Sequence, residues 1–251
     1  MSKPCQFLTL LLVVSLALTA CSVPTDEPRT TNVIHDPYES FNRSIHSVNV
    51  SFDRWILRPT SRGYTTVLPD EFETLISNFA TTASMPSAIL NGVLQFDLKT
   101  TTDATARLLV NATLGLLGFF DVATALQIDD VDTDFGETLY AWGVSEGAYI
   151  ELPLLGPATE RSATGRIIDI ATNPLRFLLQ PPHVNYPRVA SVGKLLTQRN
   201  QLSDVIDTIL DESADSYTQL RLTYLQSRRF ELGDIDNTVE EDPYEIDTEG
   251  F

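Results

Sequence analysis

The sequence predicts an all-α fold, and two observations support this prediction. Apolar residues recur at intervals of three and four through most of the chain, which is the pattern of one helix face. Nowhere do strand-like and helix-like stretches alternate as a parallel sheet requires. The 251 residues are 43% hydrophobic, which is sufficient for one globular domain of normal size or two small ones.

The chain begins with a segment typical of export signals. Lys3 supplies a short positive start, and the apolar run from Phe7 to Leu18 is too short to span a bilayer core of about 30 Å. The next residues, Leu18-Thr19-Ala20-Cys21, resemble the lipobox of bacterial lipoproteins. This resemblance implies a signal peptide over residues 1–20 and acylation of Cys21, whereas the alternative is an ordinary secretory signal with an incidental cysteine. Residues 21–35 are then the acylated N-terminus and a flexible tether rich in Pro, Thr and charge.

Composition argues against several classes of function. The formal net charge of −17 disfavours a nucleic-acid partner and electrostatic attraction to an anionic membrane surface. Because Cys5 and Cys21 are the only cysteines, a disulfide framework, a cysteine-rich zinc site and a thiolate nucleophile elsewhere are excluded. The histidines His35, His46 and His183 lack metal-site spacing, and no phosphate-binding glycine pattern occurs. We therefore expect neither a metal nor a cofactor.

Three helices are expected to open the ordered domain. The first starts at Glu39 and stops at Arg58-Pro59, because a proline disfavours helical backbone in the residue before it. A second follows Pro69, where acidic residues in the first turn favour a helix N-terminus. A third opens at Pro86 and covers Ser87 to Phe96. The apolar face of the first helix comprises Phe41, Ile45, Val48, Phe52, Trp55 and Ile56.

The most apolar stretch, Leu108 to Ile128, carries a single acidic charge at Asp121. By length it could cross a membrane, but Asn111, Gly115 and Gly118 interrupt it. We expect two short helices joined near Gly115–Gly118. Burial in a protein core and insertion part-way into one leaflet both remain open, and a true membrane span is a third possibility.

The second half should mix loops with helices. Asp129 to Asp134 is an acidic loop, and Leu139 to Leu155 is an irregular Gly/Pro-rich loop or a short hairpin. Arg166 to Leu179 is helical and breaks at Asn173-Pro174. The last helix runs from Val189 to Phe230, possibly interrupted early.

The final segment, residues 231–251, differs sharply in composition from the domain at residues 36–230. It carries 9 acidic residues and no basic ones. Such a segment cannot bury enough apolar surface to fold by itself, so we expect a disordered acidic tail.

One motif suggests catalysis. Gly143-Val144-Ser145-Glu146-Gly147 matches G-x-S-x-G, and Asp169 and His183 follow in the order found in α/β-hydrolases. The motif works only as a sharp turn from a strand into a helix. Because Ala148 to Pro157 cannot form that helix, we expect no catalytic residues, and an esterase using Ser145 remains the alternative.

Several segments together resemble the MlaA (VacJ) family of outer-membrane lipoproteins, in order, over about residues 36–180. The matching blocks are Asp36-Pro37-Tyr38-Glu39-Ser40-Phe41-Asn42-Arg43, Arg58-Pro59 with Gly63-Tyr64, Val67-Leu68-Pro69, Ile76-Ser77-Asn78-Phe79, Arg107 to Ala123, Asp134 to Leu139, Trp142-Gly143-Val144 and Leu152 to Pro157. Ser145-Glu146-Gly147-Ala148 departs from a Gly-Pro-Gly-Pro-like run of the family, which puts in doubt the flexibility of this loop.

The resemblance implies a ring of short amphipathic helices around a central amphipathic channel, held in the inner leaflet of the outer membrane on its periplasmic face. Phospholipids leave the outer leaflet through that channel, beside a trimeric porin, and pass to a soluble periplasmic phospholipid carrier. No bond is made or broken. Ser22 agrees with this location, because an Asp after the acylated cysteine would favour the inner membrane.

Three groups of residues are candidates for this role. Gly143, Ser145 and Gly147 form a candidate gate loop, and Phe41 and Asn42 lie at the centre of the family's N-terminal motif. The residues expected on in-leaflet helices are Leu114, Leu117, Phe119, Phe120 and Val122. Helix packing would also explain Phe41, and capping or loop bonding would explain Asn42. A structural or adhesive surface lipoprotein that moves no lipid is a further alternative.

Overall fold

The computed structural model describes residues 34–234, which are mainly helical as predicted. The helices are α1 (Glu39–Phe52), α2 (Arg58–Val67), α3 (Asp70–Leu94), α4 (Leu98–Thr113), α5 (Val122–Ala125), α6 (Phe135–Ala141), α7 (Glu160–Thr172), α8 (Leu175–Leu178), α9 (Asn185–Gln201), α10 (Ser203–Asp207) and α11 (Ser216–Glu231). Two π-helical turns, Asp53–Leu57 and Thr208–Glu212, and two strands, β1 (Tyr149–Leu152) and β2 (Gly156–Thr159), complete the described elements. The predicted signal segment, Cys21, most of the predicted tether and residues 235–251 of the predicted acidic tail lie outside the described residues.

The first helix does not stop at Arg58-Pro59. Helical backbone continues from α1 through the π-helical turn into α2, and the Arg58 N–H donates to the Asp53 carbonyl. Pro59, which has no backbone N–H to donate, is the second residue of α2 and directly follows the π-helical turn. The break comes ten residues later than predicted, at Leu68, whose backbone is extended.

The second and third predicted helices are one helix of 25 residues, α3, with Pro86 inside it. The acidic start after Pro69 is confirmed by Asp70, Glu71 and Glu73 in the first turn. Pro86 fails to end the helix because the residues around it, Met85 and Ala88, are buried in a cluster with Ala104 of α4. Tertiary packing here outweighs the local cost of the proline.

The apolar stretch folds as the end of α4, a series of turns at residues 114–121, and the single helical turn α5. The prediction that Leu114, Leu117, Phe119 and Phe120 lie on helices is therefore wrong. Leu116 and Leu117 have positive φ, as does Gly118. A Cβ at Gly115 would come within 2.1 Å of the Phe120 carbonyl oxygen, so this turn requires a glycine.

The second half of the chain contains the predicted hairpin, but part of the loop predicted before the hairpin is helical. β1 and β2 pair antiparallel, with Tyr149 opposite Thr159. The region expected to be irregular, Leu139 to Leu155, begins inside α6. The Asp134 carboxylate caps this helix by accepting a hydrogen bond from the Glu137 N–H. The predicted break at Asn173 separates α7 from α8.

The last predicted helix is interrupted more than once. The predicted helix is divided into α9, α10 and α11. Asp215 caps α11 by accepting a hydrogen bond from the Thr218 N–H. α11 ends at Glu231, one residue beyond the predicted domain boundary.

The packing contacts close into a circuit. α3 packs against α9, and α9 packs against α2, which continues through the π-helical turn into α1. α1 contacts β1, β1 pairs with β2, and β2 contacts α7. α7 packs on α6, and α6 returns to α3. Outside this order, α4 lies along α3 and α11 contacts β2.

Within residues 34–234 the distribution of apolar and charged side chains is the reverse of that in a water-soluble domain. Large apolar side chains that are exposed outnumber the apolar residues that are buried, and more than half of the buried ones are alanine. Charged side chains are buried instead, and Arg199 Nε lies 2.6 Å from Asp53 Oδ1. The other buried charged residues are Glu73, Arg107, Glu151, Arg161 and Arg228.

Candidate functional site

The turns after α4 present a surface that we call the apolar tip, formed by residues 114–120 together with Leu126. Leu117 is 71% exposed, and the tip's other exposed apolar side chains are Leu114, Leu116, Phe119, Phe120 and Leu126. Val122, the remaining residue of the predicted in-leaflet set, is half-buried. The apolar side chains of residues 114–120 are therefore not buried in a protein core, whereas Ala123 of the same stretch is buried. In the described part of the chain, no helix is long and apolar enough to cross a membrane.

A buried polar cluster holds the apolar tip in place. Arg107, on α4, donates to both oxygens of Asp121 and to the Ile128 carbonyl. Asn111 donates to Asp121 and accepts from the Ala123 N–H. Burial opposes ionisation of Asp121, but hydrogen bonds from Thr124 and Asn111 and the Arg107 charge lower its pKa. The single charge in the apolar stretch is thus paired beneath the tip.

The two motif residues Phe41 and Asn42 have opposite environments. Phe41 is 64% exposed, so helix packing does not explain it. Asn42 is buried, donates to Asp36 and to the Tyr149 carbonyl, and accepts from the Glu151 N–H at 3.0 Å. Loop bonding rather than capping accounts for Asn42, because these bonds fasten β1 to α1.

The candidate gate loop is fixed at several points. The Val144 N–H donates to the Leu139 carbonyl, and Glu146 accepts from Arg229. Gly143 has φ +82° and no atom within 4 Å of where a Cβ would lie, so the backbone conformation alone favours glycine there. Gly147, with φ +74°, packs against Glu160, and Ser145 is exposed.

The structure does not bring the hydrolase-like residues together. Asp169 Oδ1 accepts from Asn91 and Oδ2 from the Phe135 N–H. His183 packs edge-on against Tyr186. After Gly147 the chain enters β1, not a helix, so the turn that would position Ser145 is missing. No cluster of metal-ligating side chains occurs within residues 34–234.

A cavity of about 420 Å³ that the sequence patterns did not predict lies between α3 and α9, and polar residues line it. On each helix the lining residues are spaced by three, one and three positions, which places all four on one helix face. The lining residues are Asp70, Glu73, Thr74 and Ser77 of α3 and Lys194, Thr197, Gln198 and Gln201 of α9. Counting polar residues at helical spacing, as was done for apolar residues, would have found this pattern.

Both helices also carry exposed apolar side chains. Phe72 of α3 and Val189, Val192 and Leu195 of α9 all lie on the surface. α9 is therefore amphipathic, with polar residues toward the cavity and an exposed apolar stripe elsewhere, an arrangement that suits an apolar environment on one side and water or polar groups on the other.

Glu73 is the most buried charged group of this cavity, only 7% exposed. Its Oε2 accepts from the Thr197 hydroxyl at 3.0 Å, whereas its Oε1 has no hydrogen-bond partner. The Tyr64 hydroxyl is also buried without a partner, and burial together with the Glu73 charge raises the pKa of Tyr64. Lys194 donates to the Thr81 hydroxyl. An unsatisfied donor and an unsatisfied acceptor thus lie near this cavity.

Comparison with known proteins shows consistent similarities. A family model for the MlaA lipoprotein matches residues 34–231. The intermembrane phospholipid transport system lipoprotein MlaA of Haemophilus influenzae is 29% identical and the match covers 89% of each chain. Its Escherichia coli K12 counterpart is 31% identical over 85% of this chain and 88% of that protein. An uncharacterized Rickettsia bellii protein is 33% identical over 78% and 76% of the two chains.

A solved structure is also similar. It was determined to explain the maintenance of bacterial outer membrane lipid asymmetry, and it superposes with a TM-score of 0.68 at 28% identity. The superposition covers 78% of this chain and 98% of that chain.

Proposed function

The chain belongs to the MlaA lipoprotein family, and we propose that it takes mislocalised phospholipids from the outer leaflet of the outer membrane and passes them to a soluble periplasmic carrier. Removal of these lipids maintains the asymmetry of the outer membrane. The observation that carries the proposal is the reversed side-chain distribution, with exposed apolar residues outside and a polar cavity between α3 and α9.

Residence in one leaflet is supported by the apolar surface. Burying a Leu or Phe side chain away from water is worth about 1.5–3 kcal/mol, so the apolar tip and the outer face of α9 would each gain from contact with acyl chains. No spanning helix is needed for this placement. The acidic chain has no electrostatic attraction to the membrane. Its anchoring on the periplasmic face would therefore depend on acyl chains attached to Cys21.

The closed circuit of packing contacts supports a ring around a channel. α3 and α9 are neighbours in that circuit and turn their polar residues toward a shared cavity. A phospholipid head group requires such a polar path, while its acyl chains remain with apolar surfaces. The loop at Gly143–Gly147 is our candidate gate, because Gly143 is exposed and has a backbone conformation that glycine adopts without strain.

We assign no catalytic step to the protein. Asp169 and His183 make separate local contacts and Ser145 is exposed, and lipid transfer requires only binding surfaces and a path. A trimeric porin beside the ring and a periplasmic carrier below it are the partners that the family relationship implies.

Deletion of the gene tests the proposal. We expect more phospholipid in the outer leaflet and greater detergent sensitivity, both restored by the wild-type gene. Normal asymmetry in the deletion strain would favour the structural or adhesive alternative. A photo-crosslinking residue placed at Gln198, inside the cavity, should capture phospholipid, whereas one at exposed Glu71 on α3 should serve as the background control.

A further inference from the structure

The cavity between α3 and α9 has walls of opposite charge. The α3 wall carries the carboxylates of Asp70 and Glu73, and the α9 wall carries the ammonium of Lys194. Among residues 34–234 no carboxylate lies within 4.0 Å of the Lys194 ammonium. The two walls therefore do not neutralise each other directly, and both charges remain available to a molecule between them.

Glu73, a lining residue of this cavity, has a buried carboxylate oxygen, Oε1, without a hydrogen-bond partner. A buried carboxylate oxygen that receives no hydrogen bond loses its hydration without replacement, which is costly, and such groups in native structures call for an explanation. The Thr197 hydroxyl donates to the other oxygen only. Glu73 lines the cavity, so a cationic donor that enters it would offer this carboxylate a charge-assisted hydrogen bond.

We propose that this cavity selects phospholipids whose head group carries a primary ammonium, the ethanolamine class. The ammonium would donate to Glu73, and the phosphate of the same head group would face Lys194. This inference rests on the proposed function, since it assumes that phospholipid head groups enter the cavity.

The chemistry of Glu73 distinguishes among head groups. A primary ammonium offers three N–H donors, whereas a trimethylated ammonium offers none. A glycerol head group has hydroxyl donors but no positive charge, and charge-assisted hydrogen bonds are roughly twice as strong as neutral ones. Lys194 cannot make this distinction, because every one of these lipids carries a phosphate. Glu73 is therefore the specificity-determining residue, and Lys194 contributes equally to all three classes.

The experiment uses the full-length acylated protein purified in detergent. The protein is equilibrated with mixed micelles of equal phosphatidylethanolamine, phosphatidylcholine and phosphatidylglycerol, and the bound lipids are quantified by mass spectrometry. We expect about tenfold enrichment of the ethanolamine lipid, which corresponds to about 1.4 kcal/mol. Glu73→Gln should abolish the enrichment while total bound phospholipid persists, and Lys194→Met should lower all three classes together.

Glu71→Gln is the matched control, because Glu71 is an exposed glutamate on the same helix, outside the cavity. It should leave the enrichment unchanged. Folding of Glu73→Gln is checked by thermal unfolding, and Gln keeps an oxygen that can accept from Thr197. The comparison of ethanolamine with choline lipids on the wild-type protein needs no variant at all.

Two results would overturn this inference alone: bound phospholipid without head-group preference in the wild type, or an enrichment that survives Glu73→Gln. Wild-type protein that binds no phospholipid of any class would instead contradict the proposed function itself.

Discussion

The Arg107 guanidinium donates to both carboxylate oxygens of Asp121, at 3.2 and 3.0 Å, directly beneath the apolar tip. Asp121→Asn removes the charge that balances a buried arginine. We expect a loss of about 2–3 kcal/mol in unfolding free energy, below the usual range for a buried pair because Asp121 is partly exposed. Asp130→Asn is the control. Asp130 lies 3.5 Å from the same guanidinium but is 77% exposed, so its loss should cost about 0–1 kcal/mol. Equal losses in urea unfolding would contradict this difference.

The same pair predicts a pH dependence. The folded protein lowers the pKa of Asp121, so its contribution to stability is fully present above the ordinary aspartate pKa. That contribution is lost as the pH falls through the lowered pKa. The difference in unfolding free energy between wild type and Asp121→Asn should therefore be constant near neutrality and shrink below about pH 4. A difference that grows with acid would show that the pairing is not the cause.

The adjacent residues Phe41 and Asn42 should differ sharply when each is replaced by alanine. Asn42→Ala leaves the Tyr149 carbonyl and the Glu151 N–H without their partner, and we expect a loss of about 3 kcal/mol. Phe41→Ala removes an exposed side chain and should change stability by about 0.5 kcal/mol or less. Thermal unfolding compares the two variants, and a large loss from Phe41→Ala would contradict the observed exposure.

These residues show how much of the fold could be predicted from the sequence. Periodicity predicted helices and the hairpin, because both depend on neighbours a few residues away. The predicted helix end at Pro59 and the predicted start at Pro86 failed because packing around them comes from other segments. Two partners of Asn42, Tyr149 and Glu151, and the Thr197 partner of Glu73 lie more than 100 residues along the chain. Spacing can show a polar face on one helix, but it does not show which faces meet, so the cavity emerged only from the folded arrangement.

Substitutions at Ser145 and Asp169 distinguish the transport proposal from the esterase alternative. Ser145→Ala should leave both stability and outer-leaflet phospholipid at wild-type levels, because the hydroxyl is exposed and lies outside any catalytic arrangement. Asp169→Ala should instead lower stability by about 2–3 kcal/mol, because Asn91 and the Phe135 N–H lose their acceptor. Loss of lipid asymmetry in a folded Ser145→Ala protein would support the esterase alternative.

Insertion of the apolar tip can be measured with a single label. After cleavage the mature chain would contain only Cys21, whose thiol would be acylated, so Leu117→Cys would introduce the one reactive thiol. An environment-sensitive fluorophore on Leu117→Cys should emit at shorter wavelength in vesicles and be quenched by brominated acyl chains. Asp129→Cys is the control, because Asp129 is exposed in the acidic loop after α5. Its label should remain in water, with neither shift nor quenching. Identical spectra at the two positions would show that the tip lies outside the bilayer and that its exposed leucines and phenylalanines face another protein surface.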